Sequence, residues 1–226
     1  MPNSLSRCIY KVSYSYRPDL GMGWRFQVPH LLSLGLQVVI PDMLGYGQTS
    51  SPTSPSEYSM KNTASHLAHI IQEVSGSPII LGGHDWGAFL AWRVALYFPS
   101  LVQGIFTFCV PFFPPRPTAI TLEQFVTELP QFQYQLQLAG PTAEKEAGKS
   151  EAALRGFICS MFGGVTPEGQ PGFEIESGVI MERLESITST PLMTPEIVDH
   201  YGIFTFIPLC RTFAHNLSPG IFSKWP

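Results

Sequence analysis

Between residues 8 and 110, short apolar runs alternate with segments of helical periodicity. The strand-like runs cover residues 8–16, 37–40, 78–81 and 102–110, and most of them are nearly continuous in apolar residues. Strands of that kind are buried on both faces, which is typical of a parallel sheet covered by helices on both sides. The sequence therefore predicts an α/β fold with a mostly parallel sheet.

Three helices are predicted between these strands. The clearest one begins at Met60, where apolar residues recur at helical spacing at positions 60, 64, 67, 71 and 74, and Ser56 can cap its start. A second helix over 24–34 has apolar residues at Trp24, Val28, Leu31, Leu32 and Leu34. A third runs from Trp86 to Phe98 and is stopped by Pro99.

The pattern changes after Pro111. Residues 111–118 contain four prolines, and helical patterns then continue without strands to residue 201. Thr121 to Gln124 has the pattern of a capping box, and Thr194-Pro195 marks a further helix start. We expect residues 1–111 to form the N-terminal part of an α/β core and residues 112–201 to form a separate helical insertion.

Composition excludes several classes of function. The net charge of −4 and the absence of a basic run give no electrostatic footprint for nucleic acid. No segment reaches the ~18 apolar residues of a membrane span, and the first residues lack the apolar core of a secretory signal, so a cytoplasmic protein is expected. Four cysteines, widely spaced and without a CxxC pair, make zinc improbable. No metal and no cofactor are expected.

The segment that indicates chemistry is Gly83-His84-Asp85-Trp86-Gly87, which follows an apolar strand and opens a helix. Small residues flank a central Asp85 in the pattern of a nucleophile elbow, with Asp in place of Ser. A tight turn of this kind lifts one side chain clear of the sheet, at the N-terminal end of a helix. The alternative is a glycine-rich turn in which Asp85 only caps the helix, and His84 has a structural role in either case.

An aspartate at this position favours substrates with an sp³ carbon. Attack of a carboxylate on an acyl carbon would give a reactive anhydride, whereas attack on an sp³ carbon gives an ordinary ester that water can cleave. The residue type therefore indicates epoxides or alkyl halides as substrates.

Three segments together resemble a known family. Residues 82–88 are similar to the elbow of soluble, fungal-like epoxide hydrolases and of haloalkane dehalogenases, in the α/β-hydrolase superfamily. Residues 23–27 resemble the family's helix after its oxyanion loop, and Pro41 to Thr49 resembles its D-x-x-G-x-G-x-[ST] loop. The resemblance covers about residues 17–201 and implies an α/β-hydrolase fold with a helical cap or lid. It also implies a small-molecule epoxide as the substrate.

The insertion favours the epoxide hydrolases within this superfamily. Residues 131–136 are similar to the lid segment that carries an acid tyrosine, which implies that Tyr134 donates a proton to the opened epoxide oxygen. Alternatively, Tyr134 is an amphipathic residue on a lid helix, and the chain is a haloalkane dehalogenase, whose leaving halide needs only N–H donors. The resemblance assigns the oxyanion hole to the backbone N–H groups of Trp86 and Arg17.

Two regions depart from the family pattern. Where the family has His-Gly-x-Pro, this sequence has Ser15-Tyr16-Arg17-Pro18. Residues 202–226 have no family counterpart, and no carboxylate or general-base histidine is recognisable there, since the context of His215 does not match. The chain is therefore expected to be a truncated epoxide hydrolase with impaired turnover. The alternative from another class is a non-catalytic remnant that acts at most as a binding module.

Overall fold

The computed structural model describes the backbone of residues 8–13 and all of residues 21–114 and 120–202. The chain divides into two compact units, one comprising residues 1–50 and 56–114 and the other comprising residues 51–55 and 115–226. The expected tail at 202–226, with the apolar run 203–209 and His215, lies outside the described residues beyond position 202.

The first unit contains a parallel sheet of four described strands: β1 (Cys8–Ser13), β2 (Gln37–Val39), β3 (Ile79–His84) and β4 (Val102–Phe108). The strand order is β2-β1-β3-β4, and every pairing in this sheet is parallel. Tyr10 of β1 pairs with Val39 on one side and Leu81 on the other, and His84 pairs with Phe108. The predicted parallel sheet is confirmed, with β3 in the interior and β4 at one edge of the described strands.

Helix α2 (Met60–Val74) has the buried face that its periodicity predicts. Met60, Ala64, Leu67 and Ile71 are buried, whereas Val74 at the last position is 39% exposed. The predicted cap at Ser56 is wrong, because the hydroxyl of Ser59 accepts the N–H of Asn62 at 3.3 Å. Ser56 lies in the preceding 3₁₀ turn over Pro55–Tyr58, whereas the helix begins at Met60 as expected.

The helix predicted over 24–34 is shorter and more exposed than its apolar residues suggest. A 3₁₀ turn over Gly21–Trp24 precedes helix α1 (Gln27–Ser33), and no residue of α1 is buried. Trp24 is buried in the turn, whereas Leu32 and Leu34 are 52% and 61% exposed. Apolar spacing identified the helix but not its degree of burial, which depends on the neighbours it meets.

Helix α3 (Trp86–Tyr97) is the most deeply buried helix of this unit. Ala88, Leu90, Ala91 and Val94 have no exposed surface. Arg93 is also buried, and its guanidinium donates to the carbonyl of Phe113 at 3.1 Å. Burial lowers the pKa of Arg93. A helix buried on this scale fixes the end of β3 from which it starts.

The described residues of the second unit are mainly helical. It contains helices α4 (Leu122–Glu128), α5 (Tyr134–Ala139), α6 (Pro141–Ala147) and α7 (Glu151–Met161), and residues 195–202 are also helical. The capping box at the start of α4 is confirmed: the Thr121 hydroxyl accepts the Gln124 N–H at 3.2 Å, and the Gln124 side chain accepts the Thr121 N–H at 2.9 Å. Pro195 is the first helical residue of its segment.

The expectation that this insertion has no strands is wrong. Strands β5 (Phe173–Glu174) and β6 (Gly178–Val179) form an antiparallel hairpin, in which Phe173 pairs with Val179. Two residues per strand are too few to show alternation in a sequence. Gly178 has a φ of +76°, a conformation that glycine adopts without steric cost.

Candidate active site

Asp85 occupies the turn between strand β3 and helix α3. Its backbone angles, φ 54° and ψ −123°, lie in a region that L-residues rarely adopt. Its N–H donates to the carbonyl of Phe108 in the neighbouring strand at 3.2 Å, and its side chain is half-buried. A strained non-glycine residue at a strand-to-helix turn is the backbone geometry that a nucleophile elbow requires.

Two glycines make this turn possible. A Cβ on Gly83 would lie 2.4 Å from the carbonyl oxygen of Gly87 and 2.6 Å from the Cα of Ala88, so the strand and the helix cross without space for a side chain. A Cβ on Gly82 would lie 2.3 Å from the ring of Phe106. The predicted end of this strand at residue 81 is therefore wrong, because β3 continues through both glycines to His84. Their strand conformation is stabilised by close contacts with neighbouring elements.

The structure does not support the alternative in which Asp85 only caps the helix. The Asp85 side chain makes no hydrogen bond to the first turn of α3. Its carbonyl accepts the N–H groups of Ala88 and Phe89 at 2.9 and 3.2 Å. The carboxylate is therefore not used to satisfy the helix N-terminus, which is the usual reason for Asp at this position.

Trp86 is the first residue of α3, and its indole is buried against Phe89, with ring centroids 5.6 Å apart. The direction of its backbone N–H towards a developing negative charge stays a prediction. Arg17, the second expected donor, lies outside the described residues. The oxyanion hole is thus an expectation from the sequence at both positions.

The loop over residues 41–49 has a structural explanation. Asp42 accepts the N–H of Gly21 at 3.2 Å, and a Cβ on Gly47 would lie 2.3 Å from the Asp42 carboxylate. The Thr49 hydroxyl lies 2.8 Å from the carbonyl oxygen of Met43 and accepts the N–H of Tyr46 at 3.1 Å. The acidic, glycine and hydroxyl residues of this motif therefore stabilise the conformation of the loop. They are Asp42, Gly47 and Thr49.

Tyr134 is the first residue of α5 in the second unit. Its ring is half-buried and meets Phe173 of the hairpin edge-on, with centroids 5.4 Å apart, and it lies 6.4 Å from the ring of Phe132. These contacts hold the aromatic ring from two directions. The role of Tyr134 as a proton donor to an opened epoxide stays a prediction.

Two features of the site regions were not identified from the sequence. Gln137, one turn after Tyr134, hydrogen-bonds both backbone groups of Val179, 42 residues away. Cys109 directly follows β4, is exposed and has a φ of 70°. The glycine at 178 is the one local sign of the contact between Gln137 and Val179. No local pattern indicates the backbone conformation of Cys109.

A cavity of about 750 Å³ lies within the second unit. Gln137, Thr142, Ser177 and Val179 contribute to its wall, together with the charged side chains Glu146, Lys149, Glu182 and Glu185. Its lining is mixed in polarity, and Gln137 is the residue of α5 that contributes to it. In the part of the chain that the structure describes, no helix has the length and apolar character to cross a membrane.

Comparison with known proteins adds to this geometry. The family described as alpha/beta hydrolase fold matches residues 12–158, which include β2, β3, β4, the elbow and α3. The chain belongs to the α/β-hydrolase fold family. This α/β-hydrolase is 52% identical over 189 residues to epoxide hydrolase srdG of Neurospora crassa, covering 81% of the chain and 55% of the relative.

Other proteins that are similar to this α/β-hydrolase are also named as epoxide hydrolases. Bifunctional epoxide hydrolase 2 of Sus scrofa is 34% identical over 137 residues, covering 61% of the chain and 23% of the relative. Epoxide hydrolase A of Mycobacterium thermoresistibile superposes with a TM-score of 0.71 at 26% identity, over 95% of the chain and 69% of that structure. Potato epoxide hydrolase I gives a TM-score of 0.72 at 21% identity, over 96% and 69%, which supports the fold alone. The chain spans about half the length of the Neurospora relative.

Proposed function

We propose that this α/β-hydrolase opens an epoxide with Asp85 as the nucleophile. The observation that carries the proposal is the backbone of Asp85: a strained residue between β3 and α3 whose carboxylate does not cap the helix. Strain at a non-glycine residue costs about 1 to 3 kcal/mol and persists mainly where function needs it. The 52% identity to a protein named as an epoxide hydrolase supports the substrate class.

The first half-reaction is an alkylation of the protein. An Asp85 carboxylate oxygen attacks one ring carbon, a C–O bond of the epoxide breaks, and the released oxygen takes the phenolic proton of Tyr134. The product is a 2-hydroxyalkyl ester of Asp85. A phenol with an ordinary pKa of about 10 is protonated at neutral pH and can supply this proton.

The second half-reaction is hydrolysis of that ester. Water attacks the ester carbonyl as a base removes one of its protons, and the backbone N–H groups of Trp86 and Arg17 would hold the oxyanion. The bond between the carbonyl carbon and the alkyl oxygen then breaks. The diol leaves with the proton from the base, and the second proton of the water passes from the Asp85 carboxyl to the Tyr134 phenolate. The sequence of this chain offers no histidine in the context of the family's base. Loss of such a base costs on the order of 10⁴ to 10⁶ in rate. We therefore propose that the 226-residue chain alkylates itself faster than it releases diol.

Intact mass spectrometry of the chain with excess aryl epoxide tests both parts. The expected result is one stable adduct per chain, which peptide mapping places on Asp85 and which Asp85→Asn abolishes. A Cys109→Ser background removes the exposed thiol next to β4 as a competing nucleophile.

Other outcomes separate the alternatives. Sustained diol production that Asp85→Asn abolishes would keep the nucleophile and overturn the slow release. Halide release from alkyl halides without reaction of epoxides would favour a dehalogenase. No adduct and no diol would overturn the proposed function and favour a binding module.

A further inference from the structure

The short helix that begins with Tyr134 is tied to the hairpin by one side-chain amide. The Gln137 Nε2 donates to the carbonyl of Val179 at 2.8 Å, and the Val179 N–H donates to the Gln137 Oε1 at 2.9 Å. The side chain thus pairs with the strand as a neighbouring backbone would. We refer to these two hydrogen bonds between Gln137 and Val179 as the amide clamp.

The clamp joins elements that are remote in sequence and partly buried in the fold. Helix α5 has six residues, too few for a helix to be stable by itself. Its orientation must therefore come from tertiary contacts. The amide clamp fixes Gln137, the fourth residue of the helix, to β6, while the ring of Tyr134 meets Phe173 of β5.

Gly178 leaves the space for this contact. A Cβ at position 178 would lie 2.4 Å from the Gln137 Oε1 and 3.3 Å from the Cβ of Tyr134. The residue also has a φ of +76°, which would strain a side-chain-bearing residue. Because Gly178 has no side chain, the hairpin can approach both Gln137 and Tyr134 closely.

We propose that Gln137 is a positioning residue for Tyr134. The amide clamp holds α5 against the hairpin, so the phenol keeps the orientation from which it donates its proton. This inference rests on the proposed function, since it assigns a residue that acts through the proton donor. It makes no contact with the reacting atoms itself.

The test measures the rate of Asp85 alkylation by an aryl epoxide under single-turnover conditions in the four proteins of a double-mutant cycle and in one control variant. These are the parent, Gln137→Met, Tyr134→Phe and the double variant. Methionine keeps the length of the side chain and removes both hydrogen bonds. Gln133→Met is the matched control, because Gln133 is an exposed glutamine immediately before the same helix.

Gln137→Met is expected to slow alkylation about tenfold or more, because a misplacement of ~1 Å can cost up to ~10²-fold. The final amount of adduct should be unchanged. In the Tyr134→Phe background the same substitution should change the rate by less than about twofold, since there is no proton to position. Gln133→Met should react like the parent.

Equal slowing in both backgrounds, or an unchanged rate in Gln137→Met, would overturn the positioning role. If Tyr134→Phe is alkylated slowly and Gln137→Met at the parental rate, the positioning role of Gln137 is wrong and the proposed function still holds. If Tyr134→Phe reacts at the parental rate, Tyr134 is not the proton donor. That result would overturn both this part of the proposed function and the positioning role of Gln137.

Gln137→Glu gives a second measurement if the methionine variant does not fold. An ionised carboxylate accepts the Val179 N–H but repels the Val179 carbonyl, whereas a protonated one restores both bonds. The charged groups that line the same cavity are Glu146, Lys149, Glu182 and Glu185, and neighbouring carboxylates favour the protonated form of a carboxyl introduced among them. The rate relative to the parent should rise as pH falls from 8 towards about 5. A ratio independent of pH would overturn the clamp.

Discussion

A Cβ atom on Gly83 would lie 2.4 Å from the carbonyl oxygen of Gly87. The last residues of β3 and the first turn of α3 therefore touch at the backbone, and this contact sets the direction from which Asp85 leaves the sheet. Backbone atoms cannot move aside as a flexible side chain can, so this position tolerates only glycine.

Gly83→Ala is predicted to destabilise the chain by more than about 2 kcal/mol, within the range of overpacked buried positions. Gly104→Ala is the control, since Gly104 lies in the adjacent strand β4 and a Cβ there would meet no atom within 4 Å. Urea unfolding followed by circular dichroism measures both. Equal midpoints for the two variants would contradict the close contact at the elbow.

Replacement of the strained aspartate should separate stability from reactivity. Asp85→Gly removes the steric cost of a φ of 54° and is expected to gain about 1 kcal/mol over Asp85→Asn, after the entropy of glycine in the unfolded chain is subtracted. Both variants should lose the epoxide adduct. Thermal unfolding of the two proteins side by side checks the stability. An Asp85→Gly variant less stable than Asp85→Asn would contradict strain at this residue.

The two cysteines whose surroundings are described should react with a thiol reagent at different rates. Cys109 is exposed, whereas Cys159 is buried in α7, and burial raises its pKa while Arg155 opposes the shift. A raised pKa leaves less thiolate at a given pH, so labelling of Cys159 should be at least about tenfold slower and should accelerate as pH rises. Time-resolved labelling with peptide mapping measures both sites. Equal rates would contradict the burial of Cys159.

Strand β4 is predicted to promote self-association. It forms an edge of the described strands, and Phe108 at its end is 50% exposed. Exposed apolar edges pair with other chains, and a lysine at an edge opposes this. Phe108→Lys should lower light scattering of a concentrated sample, whereas Gln103→Lys adds the same charge to β4 away from Phe108 and should change it less. If the two variants lower the scattering equally, the self-association depends on net charge and not on Phe108.

Several structural features followed from local sequence alone. The parallel sheet was predicted because strands buried on both faces are apolar throughout, and α2 because its buried residues recur every three to four positions. The capping box at Thr121 and Gln124 formed as predicted, because all its groups lie within one turn. The elbow at Asp85 was identified because the glycines on both sides of it leave few other turns possible.

Features decided by distant contacts could not be predicted in this way. The exposure of α1 depends on what covers it, and β5 and β6 are too short to carry a periodic signal. The amide clamp joins Gln137 to Val179 across 42 residues, and the glycine at 178 marks a close approach without indicating which residue makes it.

The sequence by itself determined the strands of the parallel sheet and the turn at Asp85, because each depends on residues that are neighbours in the chain. The tertiary structure decided the strain at Asp85, which is imposed by the contact of Gly83 with α3 and by the hydrogen bond to Phe108. It also decided how α5 is held, since a six-residue helix takes its orientation from the elements it contacts.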